Sequence, residues 1–225
     1  MLLSFNDVDF SYDKSHKVLK GINFNVRKEE KIALLGLNGA GKSTLMLLTN
    51  GLLLPSKGDV IVKGMNTKSK EITEIRKTVG LVFQNPDDQL FMHTVKDDVA
   101  FGPRNMNLTE EEVDIRVENA LRLTKTKDLA NRHPFDLSGG QKKSVSIATV
   151  LAMEPELIVM DEPTSGLDYM ATQNFVEIVE SLSNAMIIST HDIELAKRLC
   201  TRAIIIKEGE ISYDGDISRL SYPDR

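Results

Sequence analysis

Residues 36–44 read Gly-Leu-Asn-Gly-Ala-Gly-Lys-Ser-Thr. The pattern G-x-x-x-x-G-K-[ST] is that of a phosphate-binding (Walker A) loop, and its chemistry requires a strand before it and a helix after it. Both are in place. Residues 31–35 form an apolar, strand-like run, and Lys42 onward reads as a helix through Leu48. Gly36, Gly39 and Gly41 let the backbone bend around a polyphosphate with no Cβ in the way. The loop amides and the helix N-terminus then face negative charge. Gly36, Asn38, Gly39, Ala40, Gly41, Lys42, Ser43 and Thr44 are therefore the candidate polyphosphate-binding residues. Lys42 would reach the β- and γ-phosphates of a nucleotide, and Ser43 would place its hydroxyl on Mg²⁺. The plainer reading of these nine residues is a glycine-rich turn capping a helix. Two further motifs decide between the two readings.

The chain has 225 residues, enough for one large domain or two small ones. A hydrophobic content of 41% suffices for a core. With 28 basic and 33 acidic residues the net charge is −5, so no nucleic-acid partner is indicated. Cys200 stands alone, which excludes an internal disulfide and fits a reducing compartment. No apolar run approaches the roughly 20 residues of a membrane span, and the acidic Asp7 and Asp9 do not fit a signal peptide. If the protein works at a membrane, another chain must supply the spans.

Along the chain, 2–12 and 17–27 read as strands joined by a turn near Asp13–His16. Tyr12, at the end of the first strand, is a candidate to stack on a nucleobase, though a plain strand-end tyrosine fits equally well. Residues 54–58 are turn chemistry, 59–63 a short strand, and another strand begins at Lys77 and ends at the polar break 84–88. Residues 94–125 read as helical. Thr109 and Glu112 form a capping box, followed by Val113, Val117, Ala120 and Leu121 on one face. This helical insert, about 85–135, suggests a subdomain within one domain spanning 1–225. Thereafter helices are expected through Ala152, over about 168–182 and over 191–200, with strands at 157–160 and 186–189 and a closing hairpin around Glu208-Gly209. The alternation argues for a mostly parallel sheet.

The second motif is the apolar run 157–160 ending in Asp161-Glu162. Ligands of open α/β sheets bind beyond the carboxyl ends of strands. Asp161 is thus placed to hold Mg²⁺ beside Ser43, and Glu162 to orient or deprotonate an attacking water. Without the phosphate loop, a solvated Asp-Glu turn would be the better reading. The third motif is Leu137-Ser138-Gly139-Gly140-Gln141, in which Ser138 is an N-cap and two glycines expose amides at a helix start.

Phosphate loop, Leu137–Gln141, Leu157–Glu162 and His191 stand in the order and spacing of an ABC-type ATPase domain, and the resemblance covers nearly the whole chain. It implies an α/β fold of the P-loop NTPase, ABC type. Such a fold has a mostly parallel sheet, an N-terminal antiparallel β-subdomain and a helical subdomain. It also implies ATP and Mg²⁺, with ATP sandwiched between two ATPase subunits, either identical or close paralogues. Ser138, Gly139, Gly140 and Gln141 would then complete the site of the opposite subunit. Ser138 and Gly140 would touch the γ-phosphate held by the partner's Lys42. Gln84 matches the glutamine that senses Mg²⁺ and water. Residues 165–168 match the loop that crosses the dimer interface. His191 matches the histidine that contacts the γ-phosphate, and Tyr12 the aromatic that stacks on adenine. Gln84–Phe91, Thr94-Val95 and 98–103 resemble the ATPase subunit of energy-coupling-factor transporters, including the cobalt and nickel type. Those import metal ions or vitamins across the prokaryotic cell membrane, with the ATPase on its cytoplasmic face. Integral membrane subunits are expected to dock near Gln84–Phe91, with Leu90 and Phe91 suited to a groove for a partner's helix; the plainer reading is that Leu90 and Phe91 simply pin the insert to the core. There are two departures. Ser144 stands where relatives usually have Arg, with a small expected effect. The chain also stops soon after its last strand, whereas many relatives carry a C-terminal extension that helps them dimerise, which sets a permanent ATP-free dimer in question.

Two other functions compete. A soluble ABC ATPase acting on ribosomes or DNA usually has two ATPase domains or a long coiled coil, and neither is seen in this acidic chain. A regulatory nucleotide-binding module without turnover would not need Glu162 and His191.

Overall fold

The computed structural model describes residues 1–13 and 16–220. β1 (Leu3–Ser11) and β2 (Lys17–Val26) pair antiparallel, Leu3 against Val26 and Phe5 against Phe24. The two phenylalanine rings stack with centroids 4.7 Å apart. Asp7, at φ 48, sits at an irregularity in this ladder. The extra residue returns Val8, rather than Asp7, to the buried side. The turn expected near Asp13–His16 includes Lys14 and Ser15, which lie outside the described residues. After β3 (Lys31–Leu35), β4 (Lys57–Val62) joins the free edge of β1, and β5 (Met65–Asn66) pairs with β4. The first sheet is therefore antiparallel, in the order β2-β1-β4-β5.

The second sheet adds β6 (Val79–Val82), β7 (Leu157–Met160), β8 (Ala185–Ser189), β9 (Arg202–Lys207) and β10 (Glu210–Asp216), in the order β10-β9-β3-β8-β7-β6. β7, β8, β3 and β9 run parallel, and β10 returns antiparallel on β9. Every residue of β6, β7 and β8 is buried. That is why their sequences are continuous apolar runs rather than alternating ones. The parallel pairing brings the carboxyl ends of β3, β8 and β7 to one edge of the sheet.

The helices are α1 (Lys42–Thr49), α2 (Ile72–Thr78), α3 (Val95–Arg104), α4 (Glu110–Leu123), α5 (Gly139–Leu151), α6 (Tyr169–Ser181) and α7 (Ile193–Leu199). The fold is thus α/β, with a mixed sheet of mostly parallel strands, an antiparallel sheet and helices. Neither α2 nor β5 was expected from the sequence. The helical stretch 94–125 is two helices. Asn107 has a left-handed φ of 59, and the Thr109–Glu112 capping box, seen in both directions, starts the second helix. Val113, Val117, Ala120 and Leu121 form its buried face, as their spacing predicts.

The chain forms two compact units. One comprises Met1–Leu81, Glu156–Glu162 and the chain from Asn184 onward; the other comprises Val82–Pro155 and Pro163–Ser183. The helical stretch expected at about 85–135 falls inside the second. No helix among the described residues is long and apolar enough to cross a membrane.

Candidate functional site

In the first unit, β3 ends at Leu35 and the chain turns at Gly36. A Cβ at Gly36 would lie 2.4 Å from the Ile206 carbonyl oxygen on β9, so only glycine fits there. Ala40 N–H donates to Leu37 O at 3.1 Å and closes the loop, while Asn38 and Gly39 face solvent. α1 begins at Lys42 behind Gly41, whose φ is 107 and where a Cβ would press to 2.7 Å from Leu19 Cδ2. No side chain caps this helix. Its first N–H groups therefore lack the side-chain acceptor that helix starts usually recruit, as an anion site requires. Lys42 is only 7% exposed, and its ammonium lies over the loop, donating to Gly36 O at 2.7 Å and Leu37 O at 3.3 Å. Ser43 is exposed beside it, and Thr44 is buried. Tyr12 Oη lies 3.1 Å from Thr44 Oγ1, so the exposed Tyr12 ring stands next to the phosphate loop.

At the ends of β7 and β8 lie the carboxylates. Ser189, fully buried, joins them: its hydroxyl donates to Asp161 Oδ1 at 2.6 Å and accepts from Glu162 N–H at 2.7 Å. Glu162 has a left-handed φ of 42, a strained conformation for this residue type that recurs at functional sites. The Glu162 side chain is held inward, and the residue is 8% exposed. Its Oε2 accepts from His191 Nδ1 at 3.0 Å, while Oε1 is buried with no hydrogen-bond partner. Leaving such an oxygen unpaired costs about 1–3 kcal/mol. The first unit thus brings together Tyr12, the loop 36–44, Asp161, Glu162 and His191.

The second unit brings together Gln84 and Ser138–Gln141. The Gln84 carbonyl accepts from the Lys143 ammonium on α5, and its side chain is exposed. α5 is capped by its own signature: Ser138 Oγ accepts from Gln141 N–H at 3.3 Å, and Gln141 Oε1 accepts from Ser138 N–H at 3.0 Å. A Cβ at Gly140 would lie 2.8 Å from Ala171 Cβ, whereas Gly139 faces open space. A cleft of about 590 Å³ opens here, lined among others by Ser138, Gly140, Ser144, Asp168 and Asn174. Ser144, read as a departure with small effect, is buried in its wall, and Asn174 Nδ2 donates to its hydroxyl at 3.3 Å.

One expectation is corrected. Leu90 is not available to a partner's groove: it is 4% exposed and belongs to the core. The chain turns at Pro86–Asp88, and beyond the turn Leu90 is buried while Phe91 is exposed. Phe91, by contrast, is 62% exposed and meets Phe101 edge-on at 5.0 Å.

The sequence profile of the ABC transporter family matches residues 19–165, about two-thirds of the chain, which includes the phosphate loop, Gln84, Leu137–Gln141 and Asp161-Glu162. The chain belongs to the ABC transporter family. Among the relatives of this ABC-type ATPase is the energy-coupling factor transporter ATP-binding protein EcfA of Methanocaldococcus jannaschii. It is 49% identical over 219 residues, covering 95% of this chain and 78% of the relative. EcfA of Methanococcus maripaludis is 47% identical, with 95% and 79% covered. The solved structure of CbiO1 from Clostridium perfringens, part of the ABC transporter complex CbiONQ, superposes with a TM-score of 0.86 at 39% identity, covering 96% of this chain and 89% of that one. A dimeric ATP-binding cassette in a post-hydrolysis state, bound to ADP and Pi, superposes with a TM-score of 0.86 at 27% identity, covering 96% and 99%.

Sequence reasoning missed Ser189 at this candidate site. Its signal was present: a lone hydroxyl closing the otherwise apolar strand 185–189, two residues before His191.

Proposed function

We propose that this chain is the ATP-hydrolysing subunit of a membrane importer of the energy-coupling-factor class, carrying cobalt or nickel ions or a vitamin. The reading is supported most by one observation: a buried carboxylate, Glu162, with one oxygen unpaired, on the same sheet edge as the phosphate loop. On this reading Tyr12 stacks on adenine. The loop amides of 36–41 and the α1 N-terminus hold the phosphates, and Lys42 leaves Gly36 O and Leu37 O to bind the β- and γ-phosphates. Glu162 Oε1 accepts a proton from the attacking water, and His191, held beside Glu162, faces the γ-phosphate.

Mg²⁺ fits these residues. Ser43 offers an exposed hydroxyl, Asp161 offers a carboxylate with one oxygen fixed by Ser189, and substrate phosphates supply the other ligands such an ion prefers. The described residues hold no group of three His, Cys, Asp or Glu that would bind a metal without the nucleotide. When bound, the ion would supply positive charge that offsets the charge of the phosphates.

The second half of the site comes from another ATPase subunit, a second copy or a close paralogue, whose Ser138–Gln141 closes over the γ-phosphate. The relative solved as an ADP- and Pi-bound dimer supports this arrangement. Gln84 reports the Mg²⁺ and water position to membrane subunits docked near Gln84–Phe91, on the cytoplasmic face of a prokaryotic membrane. The CbiONQ relationship supports membrane partners of this kind. The domain organisation is one ATPase domain with its helical insert.

Purified chain should hydrolyse ATP, and Lys42→Ala should lower turnover by at least about 100-fold and weaken nucleotide binding. Wild-type turnover in Lys42→Ala would overturn the site.

A further inference from the structure

The segment following Gln84 is fastened to α5 by one amide that uses every hydrogen-bonding group it has. Gln89 Oε1 accepts from Phe83 N–H at 3.1 Å. Its Nε2 donates to Ser146 O at 2.8 Å and to Thr149 Oγ1 at 2.7 Å. The Thr149 hydroxyl in turn donates to Ser146 O at 2.8 Å, so both of its roles are taken. One end of this clamp is the residue before Gln84; the other lies in the body of the helix that opens with Ser138-Gly139-Gly140. Two lysines of α5 make parallel links, Lys143 to the Gln84 carbonyl and Lys142 to Asp87 at 2.6 Å. The Asp87 carboxylate is half exposed, and an ion pair of that kind contributes little. The Gln89 amide is half-buried, directional and neutral, so it fixes geometry without depending on salt.

We infer that Gln89 is a positioning residue for ATP hydrolysis: it holds the Gln84 loop in register with α5, so that Gln84 and the signature 138–141 move as one piece. The inference rests on the ATP-site reading above. Under that reading Gln84 serves the site of its own chain, whereas Ser138 and Gly140 serve the site of the partner. The clamp therefore ties the two active sites of a dimer together through each second unit. Loosening it lets either motif reach its site without the other and lowers the fraction of closures in which both are aligned. ATP binding by the phosphate loop belongs to the other unit and does not need the clamp.

The test uses the full chain and compares Gln89→Ala, Gln89→Glu and Thr149→Val with wild type, with Lys42→Ala alongside. The readouts are kcat per ATP-binding site, KM, and ATP affinity and stoichiometry by equilibrium binding. Gln89→Glu keeps the acceptor for Phe83 N–H but cannot donate to α5, so it should fall with Gln89→Ala, by about 10-fold in kcat. Thr149→Val removes one of the three bonds without changing shape and should lose about 3-fold, which keeps the test decisive if Gln89→Ala fails to fold. KM and ATP affinity should stay within about 2-fold in all three. A merely structural role would lower the stoichiometry of ATP binding and leave kcat per site unchanged. That result, or wild-type kcat in Gln89→Glu and Thr149→Val, would overturn the inference. If Lys42→Ala itself kept wild-type turnover, the ATP-site reading would be at fault rather than the clamp.

Discussion

Ser189 shows how much one buried hydroxyl does at this site. Its donation to Asp161 and acceptance from Glu162 N–H fix the carboxylate proposed to hold Mg²⁺ and the one proposed to activate water relative to each other. The strained backbone of Glu162 needs such a tether to persist. Ser189→Ala should therefore lower kcat by about 10-fold while ATP affinity changes little, because the phosphate loop is untouched; unchanged kcat would show that the tether is not needed. At this scale much of the candidate site was legible in advance. A glycine loop ending in Lys-Ser, and two carboxylates closing an apolar strand, are spacings that only a strand-edge phosphate site explains well. The Lys42 ammonium resting on its own loop and the partnerless Glu162 Oε1 were not legible. Both are matters of where a side chain turns, and neighbours in sequence do not determine that.

Among the elements, the segment between β6 and α3 departs most from expectation. Read as a line, Leu90 and Phe91 are two apolar residues in a polar stretch. Folded, Leu90 is core and Phe91 is surface. The proposed docking therefore rests on Phe91 and its neighbour Phe101. Phe91→Ser should abolish co-purification with the membrane subunits and leave the ATPase activity of the isolated chain intact; retained co-purification would contradict docking at this face. The same segment is tied down by Asp98, whose Oδ1 accepts from the Phe91 and Met92 N–H groups while Oδ2 is buried without a partner. Burial pushes this carboxyl above its ordinary value of 3.8, with Asp97 adding to the rise and the two N–H groups and His133 opposing it. A raised value means that the folded state holds the proton more readily than the unfolded one. The stability this gives is full below the ordinary value and is lost as pH rises through the raised one. Asp98→Asn carries no charge at any pH, so its melting temperature relative to wild type should climb as pH rises above the ordinary carboxylate value. A difference that is flat with pH would refute the assignment. Strands β7 and β8 were readable because burial on both faces leaves a continuous apolar run. α2 and β5 were not, because seven residues with one buried side chain, and a two-residue strand, carry no period.

For the whole molecule, order and spacing of motifs said more than composition. An acidic chain with one buried cysteine, whose thiol burial pushes up to about 12, describes many proteins. The succession of phosphate loop, signature and carboxylate strand describes one family, and the family match and the superposed relatives bear that out. On the proposed reading, what the chain drives across a membrane is chosen by its partner subunits. The central property proposed for it is an ATP site completed by a second subunit, and Glu162→Gln isolates that property. The amide keeps the shape of the carboxylate but cannot take a proton from water, so bound ATP should persist. Light scattering on size-exclusion eluate, with and without Mg-ATP, then reads the assembly directly. The account predicts that Glu162→Gln is a dimer with ATP and that Glu162→Gln combined with Ser138→Arg, which blocks the signature helix start, stays a monomer. A Glu162→Gln chain that is saturated with ATP and still monomeric would contradict it.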